Sequence, residues 1–285
     1  VASFSGATTL AAVIGDPVRH SLSPTIHNAA FAACGLDWMY CAFVVPNGGA
    51  RDALAAMRTL GIAGYSVTMP HKADVAAAVD ECTPAAAALG AVNCVTNRNG
   101  RLIGDNTDGE GFVRGLATDA GLDVRGARCV VLGAGGAARA VIDALGRAGA
   151  SEVVVVNRSA EAAARAAALP GVAGGVGRVG DPAAVAHADL VVNATPLGMA
   201  VTGAANLPCD PDLVAPAAVA VDLIYEPVET PWLRALRSRN VQAFNGLSML
   251  VHQAARQFEW WTGVPAPLDA MRDAVADHLA TRRSS

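Results

Sequence analysis

Charge is scarce in this chain. Only 16% of its 285 residues are Asp, Glu, Lys or Arg, and the formal net charge is −4. No basic block occurs, which argues against a nucleic-acid partner or an anionic-membrane surface. No uninterrupted apolar run reaches the length of a membrane span, and no basic segment followed by an apolar stretch stands at the N-terminus. A cytoplasmic protein is therefore expected. Paired cysteine spacing is also missing. Cys34, Cys41, Cys82, Cys94, Cys129 and Cys209 are scattered, which leaves no metal site to expect, and several lie in apolar runs as free core thiols do. Hydrophobic residues, at 53%, exclude a disordered chain, and the length allows about two domains with a sizeable core.

In place of charge the chain has alternation. Strand signals at 10–14, 39–45, 65–68 and 91–96 are interleaved with helix signals at 24–34, 50–60 and after Pro70. Residues 104–108 read as a loop and 109–120 as a bridging helix. Further buried strands are expected at 129–132, 152–156, 189–193, 219–223 and 241–244. Helices follow from about Gly246 and over 267–281, the first placing Leu247, Leu250, Ala254, Phe258 and Trp261 on one face. This order gives an α/β fold with parallel sheets in two domains. The expected division is 1–108, completed by the returning helices of 247–285, and 109–246.

Gly133-Ala134-Gly135-Gly136-Ala137-Ala138 follows directly on the apolar run Cys129-Val130-Val131-Leu132. Strand, Gly-x-Gly-x-x-Ala and helix form the fingerprint of a Rossmann-type dinucleotide-binding unit. The first glycine makes the turn, the second admits a pyrophosphate, and the third small residue packs helix on strand. The unit starts more than a hundred residues into the chain, which leaves room ahead of it for a domain that holds the molecule being reduced. The next strand ends in Asn157-Arg158-Ser159 with no carboxylate at its tip. An acidic residue there would grip the ribose of NAD, whereas an arginine suits the 2′-phosphate of NADP. NADP is expected, with NAD possible, and Ser159 is also placed to cap the helix that follows.

Four polar clusters interrupt the apolar pattern at strand ends and helix starts. In His20-Ser21-Leu22-Ser23-Pro24, Ser23 can cap the helix, or the two serines can hydrogen-bond a carboxylate; His20 is open to either a structural or a functional role. In Ser66-Val67-Thr68-Met69-Pro70-His71-Lys72, the lysine falls in the first turn of a helix, where the dipole disfavours a cation. A lysine so placed can pass a proton. In Asp105-Asn106-Thr107-Asp108, Asp108 can cap the next helix or orient a nearby ammonium. Asn93, after Gly90-Ala91-Val92, is either a turn residue or a ligand contact.

Together these clusters resemble the shikimate dehydrogenase family over nearly the whole chain. The resemblance rests on Gly15-x-Pro17-x-x-His20-Ser21-x-Ser23-Pro24-x-x-His27-Asn28, Val67-Thr68-x-Pro70-His71-Lys72, Gly90-Ala91-Val92-Asn93 and Asp105-Asn106-Thr107-Asp108-Gly109. It continues through the glycine turn, Asn157-Arg158-Ser159, Asn193-Ala194-Thr195-x-x-Gly198-Met199 and Met249-Leu250-x-x-Gln253-Ala254-Ala255. It implies an N-terminal substrate-binding domain, a cofactor domain, and NADPH-dependent reduction of 3-dehydroshikimate in aromatic amino acid biosynthesis. Lys72 would be the acid/base residue with Asp108 beside it. Ser21 and Ser23 would take the substrate carboxylate, and Thr68, Asn93, Tyr225 and Gln253 the ring hydroxyls and carbonyl. Gly133, Ala134, Gly135, Gly136 and Ala137 would bind pyrophosphate, Asn157, Arg158 and Ser159 the adenosine phosphate, and Thr195, Leu223 and Gly246 the nicotinamide end.

Three residues depart from the family pattern. Ser66 stands where many members have Asn, Ala162 where a second basic residue often meets the 2′-phosphate, and Pro196 where Ser is common. The enzymatic alternative is an NAD-dependent quinate/shikimate dehydrogenase, against which Ser23 weighs because quinate users often carry Thr there. A non-catalytic metabolite sensor is the alternative of another class, and retention of Lys72 and Asp108 weighs against it. The expected partner is one small-molecule substrate, with the chain a monomer or homodimer.

Overall fold

The computed structural model describes residues 4–199 and 207–283. The chain forms two compact units, Val1–Thr107 with Val251–Ser285, and Asp108–Leu250.

The first unit is built on a six-stranded sheet. Its strands are β1 (Thr9–Gly15), β2 (Trp38–Val44), β3 (Gly64–Val67), β4 (Glu81–Cys82), β5 (Cys94–Arg98) and β6 (Arg101–Asp105), in the order β2-β1-β3-β5-β6-β4. The β1 strand pairs in parallel with β2 and β3, with Ile14 opposite Val67. The sheet is not parallel throughout, however. The β5 strand runs antiparallel to both β3 and β6. Its hairpin turns at Asn99 and Gly100, with φ of 54° and 89°, the left-handed pair that a two-residue turn matching strand twist requires. The expected loop at 104–108 is thus half strand: Gly104 and Asp105 end β6, and Asp108 begins a helix.

Helices α1 (Ser23–Ala33), α2 (Ala50–Thr59), α3 (Lys72–Ala76) and α4 (Pro84–Leu89) connect these strands. Ile14, Leu54, Met57, Val67, Val75, Val92, Val95 and Leu102 bury one core. Trp261, from the later helix α9 (Leu247–Thr262), lies so close to Gly64 that any side chain there would strike the indole, and its Nε1–H donates to the Val95 carbonyl at 3.1 Å. The buried residues of α9 include the expected Ala254 and Phe258, while Leu247, Leu250 and Trp261 are half-buried. His252, Gln253 and Gln257 lie among the buried set, so the inward face carries polar groups. Helix α10 (Leu268–Arg283) packs on α1.

The second unit is doubly wound. Strands β7 (Arg128–Leu132), β8 (Glu152–Val156), β9 (Gly177–Val179), β10 (Leu190–Asn193), β11 (Val219–Asp222) and β12 (Gln242–Phe244) are all parallel, in the order β12-β11-β10-β7-β8-β9. Helices α5 (Asp108–Asp119), α6 (Gly136–Arg147), α7 (Ala160–Ala167) and α8 (Pro231–Ser238) accompany them. A Cβ on Gly109 would meet the Ala140 carbonyl oxygen at 2.5 Å, so this glycine lets α5 cross α6 closely. Trp232, Leu233 and Leu236 of α8 close the core over Val130, Val191 and Ala220. No described helix is long and apolar enough to cross a membrane.

Candidate active site

In the first unit, backbone hydrogen bonds draw the second and fourth polar clusters together. Val67 N–H donates to the Asn93 carbonyl at 2.8 Å, and Val92 N–H to the Lys72 carbonyl at 2.9 Å. Thr68 and Lys72, at the end of β3 and the start of α3, therefore sit beside Asn93 at the start of β5. Lys72 is the one lysine in the sequence. Gly15 makes room for the Thr68 methyl, since a Cβ there would collide with it. Asn93 is buried, and its Oδ1 accepts from the Thr107 N–H at 2.8 Å. Asn93 is thus a fixed side chain rather than a turn residue. Gln253 joins this group through Gln257, whose Nε2–H donates to Gln253 Oε1 at 2.8 Å and to Thr107 Oγ1 at 3.2 Å.

Ser21 and Ser23 adjoin one another, but Ser23 does not cap α1. Ser21 Oγ accepts the Ser23 N–H at 3.2 Å, and the cap position falls on Leu22 with no side-chain bond. The local serine–backbone bond competes with the capping arrangement and pulls Ser23 into the helix. Below this layer lies an aromatic stack in which His27 sits 4.4 Å from Tyr40 and 5.0 Å from Trp261. Burial drags the His27 imidazole down to about 3, so it is neutral at physiological pH.

Asp108 and Tyr225 belong to the second unit, where Asp108 is a buried first-turn residue of α5. The residues expected to hold the cofactor all lie at the carboxyl ends of parallel strands, the edge where doubly wound sheets take ligands. The glycine turn follows β7, with Gly133 at φ 116° and a virtual Cβ 2.9 Å from the Ala194 carbonyl oxygen. At Gly135 and Gly136, by contrast, a Cβ would meet nothing within 4 Å. No side chain caps α6, so its first N–H groups are left for other acceptors. A cavity of about 300 Å³ lies there, lined by Ala134, Gly135, Gly136, Arg139, Ala162 and Arg165. An open glycine cradle with two arginines around it fits a dinucleotide phosphate.

Ser159 Oγ accepts the Ala162 N–H at 3.2 Å and caps α7 as the sequence suggests, Asn157 Nδ2–H donates to the Ser159 carbonyl at 3.1 Å, and Arg158 is exposed. Asn193 Oδ1 accepts from the Thr195 N–H at 3.0 Å and hydroxyl at 2.7 Å, which fixes the loop after β10. Asp222 in turn accepts from Asn193 Nδ2–H at 2.9 Å and the Thr230 hydroxyl at 2.7 Å, while burial raises its carboxyl above the ordinary range. Leu223 and Gly246 touch: the Gly246 Cα leaves no space for a side chain against the Leu223 carbonyl, and Gly246 N–H donates to the Ile224 carbonyl at 3.1 Å.

A family model of the shikimate dehydrogenase substrate binding domain matches residues 13–95. Models of shikimate / quinate 5-dehydrogenase and of the shikimate 5′-dehydrogenase C-terminal domain match 115–207 and 246–276. The shikimate dehydrogenase (NADP(+)) of Symbiobacterium thermophilum is 46% identical over 92% of both chains. The chain belongs to the shikimate dehydrogenase family. Among solved structures, a shikimate dehydrogenase in complex with NADP+ superposes with a TM-score of 0.90 at 34% identity, covering 97% of each chain. The Thermus thermophilus shikimate 5-dehydrogenase in complex with NADP(H) and shikimate gives 0.87 at 35%, covering 94% of this chain and 99% of that one.

Three further polar residues in this shikimate dehydrogenase family member escape motif reading. Arg139 and Arg165 lie one helical turn beyond Gly136 and Ala162, an i,i+3 spacing that puts each on the same helix face as its smaller neighbour. Gln257 stands one turn after Gln253, and i,i+4 spacing on α9 was the signal available for it.

Proposed function

We propose that this chain reversibly reduces 3-dehydroshikimate to shikimate with NADPH, a step in making aromatic amino acids. What supports the reading most directly is the pair of backbone hydrogen bonds, Val67 to Asn93 and Val92 to Lys72, that brings Lys72, Thr68 and Asn93 to one strand edge, in a chain with this family's motifs. When bound, NADPH would supply hydride to the ketone carbon. Lys72 Nζ gives a proton to the oxygen that becomes the 3-hydroxyl, and Asp108 holds the ammonium in place. Ser21 and Ser23 hydrogen-bond the ring carboxylate. Thr68, Asn93, Tyr225 and Gln253 hold the remaining oxygens, so that ring orientation is fixed before the proton moves.

The cradle of Gly133, Ala134, Gly135, Gly136 and Ala137 would hold the pyrophosphate, and Arg158, flanked by Asn157 and Ser159, the 2′-phosphate. Thr195, Leu223 and Gly246 would line the nicotinamide end. The NADP-named relative supports this over an NAD-dependent quinate reading, and a sensor would have no use for a proton shuttle at Lys72 and Asp108. The test is loss of NADPH absorbance with 3-dehydroshikimate as the sole acceptor. Turnover with shikimate as product is the expected result. Binding without turnover, or faster quinate oxidation with NAD, would overturn the assignment.

A further inference from the structure

Buried in the first unit is a polar chain that links two of the proposed contact residues, Asn93 and Gln253, to Tyr40, Ser66 and Gln257. The Tyr40 hydroxyl donates to Ser66 Oγ at 2.6 Å, and the Ser66 hydroxyl donates to Gln257 Oε1. Gln257 Nε2–H then donates to Gln253 Oε1 at 2.8 Å, to Thr107 Oγ1 at 3.2 Å and to the Asn93 carbonyl at 3.4 Å. The Asn93 carbonyl gives this chain its direction. A backbone carbonyl only accepts, so the Gln257 atom facing Asn93 must be the nitrogen. Its oxygen then faces Ser66, and the Gln253 atom facing Gln257 must be an oxygen. Reversing the Gln257 amide would set its oxygen toward the Asn93 carbonyl oxygen and forfeit that bond in a buried site.

We infer that Gln257 is a positioning residue that sets the amide of Gln253, turning its oxygen inward and its NH2 outward as a donor. This rests on the reading of Gln253 as a substrate contact. A donor suits both states of the reacting ring, because a ketone oxygen accepts only, whereas a hydroxyl can do either. Ser66 and Gln257, both buried, are matched in size, since the short serine leaves space that the α9 amide fills.

The experiment is a double-mutant cycle read by calorimetric binding of shikimate to the cofactor-free protein, with Gln257→Met, Gln253→Met and the double variant. Gln257→Met is expected to weaken shikimate about tenfold, the scale of one lost or reversed hydrogen bond, with NADP+ affinity unchanged. If Gln257 acts through Gln253, the double variant binds no more weakly than Gln253→Met alone. Additive losses, or parental binding by Gln257→Met, would overturn the inference. Parental binding by Gln253→Met would instead remove Gln253 from the substrate contacts and the inference with it, leaving the NADPH assay to judge the enzymatic reading. Should Gln257→Met fail to fold, the isosteric Gln257→Glu keeps the acceptor for Ser66 but loses the donor to Gln253. It is expected to show the same tenfold loss, and parental binding by it overturns the inference equally.

Discussion

Mild acid should loosen this protein through one imidazole. His27 is fully buried, stacked 4.4 Å from Tyr40, and neither of its ring nitrogens has a hydrogen-bond partner among the described residues. Its folded-state value lies near 3 against an ordinary 6.5, burial lowering it and the neighbouring Gln257 amide offsetting only part of that. Between those values the unfolded chain carries a proton that the folded chain refuses, so stability falls as pH drops below 6.5 and the loss stops near 3. At about 1.4 kcal/mol per pH unit, the loss from pH 7 to pH 5 amounts to about 2 kcal/mol. His27→Phe keeps a flat ring in the stack and cannot titrate. Urea unfolding of parent and variant at both pH values isolates the effect, because every other titrating group is common to the two. The parent should lose about 2 kcal/mol more than the variant. Equal losses would show that the imidazole finds a proton or water where it lies, and would refute the reasoning.

Lys72→Ala should lower kcat by about 10²–10⁴-fold while shikimate affinity changes little, as measured by turnover and calorimetry; an active variant would end the proton-transfer assignment. Arg158→Asp should move the kcat/KM ratio toward NAD by more than about tenfold, the value of one charged hydrogen bond. Unchanged discrimination would shift the phosphate grip to Arg139 and Arg165, which line the adjacent cavity. Gly246→Ala forces a Cβ into the Leu223 carbonyl and should cost about 1–3 kcal/mol in thermal unfolding. An unchanged Tm would mean the loop shifts without penalty.

The second unit was readable because its signals are local. Four consecutive valines in β8 and a glycine turn after β7 mean the same thing in any context. The hairpin of the first sheet was harder. Its strand β6 opens on an exposed arginine and closes on Gly104 and Asp105, which read as loop until Cys94 and Val95 are seen opposite them. The β4 strand is two residues long and carries no periodicity. Helix α8 carries a local start signal, Thr230-Pro231, a cap followed by a first-turn proline, and Thr230 Oγ1 does accept the Leu233 N–H at 3.2 Å. Gln257 has only its i,i+4 spacing from Gln253 as a signal in the pattern. On a helix facing the core, a glutamine breaks the apolar count, and the partners that explain it lie 150 and 191 positions earlier at Thr107 and Ser66.

The division of the chain has a consequence for synthesis. The β3 strand is made early, yet the indole that covers Gly64 and the amide that satisfies Ser66 are supplied by Trp261 and Gln257, after all of Asp108–Leu250. A nascent chain on the ribosome can complete its interrupting segment first, since every strand of that sheet is contiguous. The face of the earlier sheet that Trp261 and Gln257 cover stays open until the residues after Leu250 are made. Chaperone demand and nascent-chain proteolysis should therefore fall on the segment that carries β1 and β3 rather than on Asp108–Leu250.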